Sequence, residues 1–241
     1  MTHGYWATIE HMRTWDSFDG PMREKVIQDG GLTGFTAAAI AIEYGLMNSL
    51  PWRGGFGRFP RVAKIVNRNA AGIPTSANME DKLAAVTQVA EDIMREFELG
   101  KLPTSAASKL FWFVSPGDWT MFDKHAFNGL IKRKKKNRAE DMDAFYAKLS
   151  LCRFGHYADL VMREGAACGQ ALNGERLLDK YLMLSGSASK ASEAEFGNRV
   201  RRECEIHLQT ADGPRLKEIA ERISRLLQEF SAEIDRAALP R

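Results

Sequence analysis

Apolar residues recur at three- and four-residue steps along most of the chain, a spacing that predicts helices. Leu83, Val86, Val89, Ala90, Ile93, Met94 and Phe97 follow it, giving one apolar face. Ser76 or Asn78 can cap that helix, and Gly100 marks where it stops. Leu216, Ile219, Ile223, Leu226, Leu227, Phe230 and Ile234 make a second such stripe over 215–238. Residues 34–50 are rich in Ala, Ile and Leu and contain no Pro, which predicts a buried helix. Further helices are expected over 105–113, from 123 onward, and over 142–151, 156–162 and 175–184. The 61–69 segment suits a short helix or an extended stretch, and 205–210 suits a strand or a helix end. Gly, Pro and Ser punctuate 51–60, 101–104, 116–118 and 186–190. The expected class is all-α.

A chain of 241 residues has room for one domain, or for two lobes around a groove. We expect a single 1–241 domain whose lobes divide near 75–100 and 140–190. Hydrophobic residues at 44% and charged residues at 27% match ordinary folded proteins and argue against general disorder. There are no internal repeats. No stretch of about twenty apolar residues is present to cross a bilayer, and no basic-then-apolar leader opens the chain. A cytoplasmic protein without membrane contact is expected. Cys152, Cys168 and Cys204 are odd in number and far apart, so they suggest neither a disulfide framework nor a four-cysteine metal site. No other cluster has metal-ligand spacing, and no cofactor is expected. Gly54-Gly55-Phe56-Gly57 lacks the Gly-Lys-Ser/Thr of a phosphate-binding loop.

The net charge of +3 is mild, so the distribution of charge carries more than its total. Lys132, Arg133, Lys134, Lys135, Lys136 and Arg138 form the densest cluster. Such a run neutralises phosphates when it meets DNA, although most basic runs are solvated loops. Between 52 and 68, Arg53, Arg58, Arg61, Lys64 and Arg68 alternate with Trp52, Phe56 and Phe59. Aromatics among cations suit stacking on an unpaired base, and equally suit packing in a core.

Residues 102–131 carry the chemistry. Leu102-Pro103 is followed by a helix holding Ser108-Lys109-Leu110. A turn at 116–118 comes next, then Trp119-Thr120-Met121-Phe122, and then Asp123 at a helix start. This segment resembles the helix-hairpin-helix DNA glycosylases. Within them it is most similar to the bacterial proteins with an 8-oxoguanine DNA glycosylase fold found in anti-phage defence neighbourhoods. The family's Gly-x-Gly hairpin turn is Thr104-Ser105-Ala106 here, and Lys109 to Asp123 is a shorter interval than in better-known members.

The resemblance implies a two-lobed helical fold with the Asp123 helix lining a DNA groove. It also implies excision of a damaged or modified base, with DNA as ligand and defence-system proteins as partners. Asp123 would be the catalytic carboxylate and Lys109 the amine nucleophile. A carboxylate at a helix N-terminus is favoured as the anion and can offset the cationic sugar of a breaking glycosidic bond. A lysine desolvated by aromatics such as Phe111, Trp112 and Phe113 is available as the amine that attacks C1′. If Lys109 instead faces solvent or a phosphate, Asp123 would activate water. Trp112, Phe113, Trp119 and Trp52 are candidate walls for a flipped base. His125 would touch the carboxylate or a phosphate, or simply be a satisfied, partly buried side chain. Taken without the resemblance, an Asp opening a helix is usually a cap, and a helical lysine usually faces water. The rival readings are a DNA sensor that does not cut and a helical scaffold for other defence proteins.

Overall fold

The computed structural model describes residues 1–50, 55–74, 77–115, 117–132, 139–187 and 191–237; for 48, 139 and 191–194 the description covers the backbone alone. Those residues form twelve α-helices, with short 3₁₀ and π turns and no strand among them. The chain divides into a central unit, 18–122, and a terminal unit made from 1–17 and 123–241. The divisions fall at Ser17/Phe18 and Phe122/Asp123, not near 75–100 and 140–190. No helix among the described residues is long and apolar enough to cross a membrane.

The central unit contains α2 (Gly20–Gln28), α3 (Gly34–Glu43), α4 (Phe59–Ala70), α5 (Met79–Glu96) and α6 (Thr104–Val114). Helix α4 packs on α3, α5 and α6, and α5 packs on α6. Ile40, Val62, Val66, Val86, Val89, Ile93, Leu110 and Phe111 fill this core. Thr33 opens α3 with a reciprocal cap. Its hydroxyl accepts from the Thr36 N–H at 3.1 Å, and the Thr36 hydroxyl accepts from the Thr33 N–H at 2.8 Å. The helix expected over 34–50 stops at Glu43, because Gly45 takes a left-handed φ of 62° before a 3₁₀ turn at Leu46–Asn48. The 61–69 segment is helical, and Pro60 sits in the first turn of α4, where its missing N–H has no cost. Asn78 caps α5, accepting from the Asp81 N–H at 2.9 Å; Ser76 lies outside the described residues. Asp92 of α5 is the hub of a polar cluster. Burial alone would raise its carboxyl, but hydrogen bonds from Asn69, Gln88 and Arg68 together with the Arg68 charge hold it below the usual range.

The terminal unit contains α1 (His3–Thr14), α7 (Lys124–Ile131), α8 (Ala139–Leu151), α9 (Phe154–Ala167), α10 (Gly174–Ser187), α11 (Ala191–His207) and α12 (Gly213–Arg236). Helix α10 is central, touching α1, α7, α9 and α11, while α12 packs on α1 and α9. The α12 stripe buries Ile219, Ile223, Leu227, Phe230 and Ile234 and leaves Leu216 and Leu226 partly exposed. The 205–210 segment is the end of α11 and the turn that follows it, not a strand. Residues 186 and 187 belong to α10, and the remainder of the expected 186–190 linker lies outside the described residues. Helices α7 and α10 approach so closely that a Cβ on Gly129 would strike the Leu182 carbonyl, and one on Gly186 the His125 carbonyl.

Candidate functional site

In the terminal unit, Asp123 is extended, with φ −140° and ψ 175°, and it caps α7. Its Oδ1 accepts from the Ala126 N–H at 2.8 Å. The residue is only 8% exposed, so the carboxylate is a fixed group, not a waving surface charge. Ala126, Phe127 and Leu130 are buried and fix α7, which packs on α10. His125 lies stacked on Phe196, rings 5.1 Å apart and 10° from parallel, and its Nδ1 is buried with no hydrogen-bond partner among the described residues. Lys132 closes α7 in the left-handed region at φ 57°, and its ammonium pairs with Asp235 of α12. Arg133, Lys134, Lys135, Lys136 and Arg138 lie outside the described residues.

In the central unit, Lys109 sits mid-way along α6 and is 9% exposed, unlike the usual solvated helical lysine. Its Nζ lies 5.6 Å from the centre of the Tyr44 ring, within cation–π range. The Tyr44 hydroxyl donates to Asp19 Oδ1 at 2.5 Å, and Asp19 is itself buried. Phe113 packs edge-on against Tyr44 and Phe18, at 6.1 and 6.5 Å. Ser108, one residue before Lys109, accepts from the Phe122 N–H at 3.0 Å through its hydroxyl, tying α6 to the stretch that leads to Asp123.

The aromatics named as base-pocket walls are interior residues. Trp112, Phe113 and Trp119 are each 1% exposed or less. Trp119 donates its indole N–H to the Ser115 carbonyl at 2.7 Å, and its ring meets Phe111. Trp112 packs against Phe113 with the Arg23 guanidinium 5.4 Å from its ring centre, and its indole N–H finds no acceptor among the described residues. Trp52 and Arg53 lie outside the described residues. Arg58 is half-buried, 5.8 Å from the centre of the Phe97 ring. Of the other aromatics in that stretch, Phe59 is core and Phe56 is exposed.

Tyr44 and Asp19 were not expected from the sequence. Each is separated from Lys109 by whole helices, and no local spacing links the three. Among the described residues, no group of His, Cys, Asp and Glu could hold a metal ion. No family model matches the chain, and no match is found among curated proteins or solved structures.

Proposed function

We propose that this protein binds DNA and breaks the N-glycosidic bond of a damaged or modified base. The observation that carries the reading is Asp123, a buried carboxylate held by its own helix cap at the end of the 102–123 segment. As the bond between C1′ and the base lengthens, positive charge gathers on the sugar, and a fixed carboxylate offsets it without reorganising. In the hydrolytic route, Asp123 takes a proton from water, the oxygen attacks C1′, and the base departs with the bonding electron pair and acquires a proton. In the lyase route, the Lys109 amine attacks C1′ instead. The base leaves with the bonding electron pair and takes up a proton, the deprotonated amine then expels O4′ as the sugar ring opens to a Schiff base, and loss of a C2′ proton in β-elimination expels the 3′ phosphate. The burial of Lys109 beside Tyr44 supports its distinction from an ordinary surface lysine. Oxidised guanine and modified pyrimidines of phage DNA are the substrate classes to test, in repair or in anti-phage defence with other defence proteins.

A second reading has its own support. Trp112, Phe113 and Trp119 are committed to the interior, so they do not supply the walls expected for an extruded base. A chain that binds DNA as a sensor and leaves its bonds intact accommodates that packing.

The test is excision on DNA containing 8-oxoguanine or uracil and on phage DNA carrying modified cytosines. The parent protein and Asp123→Asn are compared by counting abasic sites with and without alkali. Abasic sites made by the parent and lost in the variant, with DNA affinity kept, establish the glycosylase. Borohydride trapping lost in Lys109→Gln would assign the amine. DNA binding that depends on salt, with no abasic sites on any substrate, favours the sensor.

A further inference from the structure

Helix α4 presents Arg61, Lys64 and Arg68 to solvent at steps of three and four residues, so they lie along one side of it, and it contains no acidic residue. Arg61 pairs with Glu96 at 3.2 Å and Arg68 with Asp92 at 2.6 Å, both on α5, while Lys64 has no acidic partner among the described residues. Lys64 and Arg68 line a cavity of about 500 Å³. Its other walls include Leu32, Thr33, Gly34 and Asn67. Those walls are held firmly. The Asn67 amide accepts from the Leu32 N–H and donates to the Leu32 carbonyl, both at 2.8 Å, clamping the segment before α3 to α4. Gly34 approaches Pro60 so closely that a Cβ would lie 2.7 Å from its Cγ. The next residue, Phe35, is 74% exposed, and Ile42, two turns along α3, is 55% exposed. A large apolar ring left in water, one residue along the chain from the lining of an open pocket that carries two cations, has the features of a recognition surface.

We propose that this α3–α4 face of the central unit is a second DNA-contact surface, which takes an unpaired nucleotide by stacking its base on Phe35 and holding its phosphate with Lys64 and Arg68. This rests on the DNA-binding reading above, and does not require that a bond be cut. The charge is complementary to a phosphodiester, and the aromatic ring accepts any base through its π-face. Arg68 can turn toward a phosphate without stripping a buried carboxylate. Asp92 keeps hydrogen bonds from Asn69 at 3.1 Å, Gln88 at 2.9 Å and Arg95 at 3.1 Å.

The full chain and two variants, Phe35→Ala and the double Lys64→Gln/Arg68→Gln, are titrated into a fluorescein-labelled single-stranded oligonucleotide at several salt concentrations. Phe35, Lys64 and Arg68 all face solvent, and circular dichroism checks that each variant remains folded. Phe35→Ala is expected to weaken binding about tenfold, the size of one lost base stack, with the salt dependence unchanged. The double variant is expected to flatten the slope of log K against log salt by about 0.7, the share of one phosphate on a single strand. Salt-sensitive binding by the parent that neither variant alters overturns this surface and leaves the DNA reading intact. No binding by the parent overturns both. Excision, present or absent, does not enter this readout.

Discussion

Asparagine caps a helix as well as aspartate does, whereas alanine removes the acceptor that the Ala126 N–H uses. Asp123→Asn should therefore unfold at the parent's denaturant midpoint while losing excision. Asp123→Ala should lose about 1 kcal/mol of stability as well, read from the same urea titration. Equal destabilisation in both variants would mean that the carboxylate's charge, and not its cap, supports the fold. The cap was legible in the sequence because it is local: an Asp following an apolar run and preceding an amphipathic stretch. The environment of Lys109 was not, since Tyr44 reaches it, and Asp19 reaches Tyr44, only after distant segments fold together. Nor could hydrophobicity decide the place of Trp112 and Trp119, because a pocket wall and a core residue are the same kind of side chain until packing separates them.

Helix α7 carries Asp123 at its start, and its position depends on Gly129, which faces α10. Gly186 is the reciprocal contact on α10. Alanine at either position would drive a methyl into a backbone carbonyl, and neither carbonyl is the flexible end of a side chain. Gly129→Ala and Gly186→Ala are each expected to destabilise the protein by about 1–3 kcal/mol, as overpacking does, measured by chemical denaturation. A neutral result at both would show that the helices can separate without cost. At this scale the periodic elements α5 and α12 were readable within a few residues, because one buried face imposes a strict spacing. Element ends were less so: Gly45 ends α3 early, and α10 runs into the Ser-rich stretch expected to be linker. Such ends depend on φ angles and neighbouring helices that periodicity does not encode.

For the molecule as a whole, the all-α class was plain from the sequence, but the partition was not. The unit boundaries follow contacts between the first seventeen residues and the last third of the chain, which composition cannot reveal. The terminal unit also holds two buried thiols. Burial pushes Cys152 and Cys204 up to about 12 from an ordinary 9.0. The folded state then keeps protons that the unfolded chain gives up. Their contribution is intact below pH 9 and is lost as pH climbs toward 12. Stability should fall over that window in denaturant titrations, and the double Cys152→Ala/Cys204→Ala variant should show a shallower fall. An equally steep fall would place the alkaline sensitivity elsewhere. The same partition sets an order of events at the ribosome. Residues 18–122 are contiguous, so their contacts can form while synthesis continues. Helix α1 precedes that unit in the chain, yet its partners α10 and α12 follow it. The segment 1–17 lacks its first partner until residues 174–187 are made and its second until 213–236 follow, so the unit that holds Asp123 closes only after residues 18–122 have been synthesised.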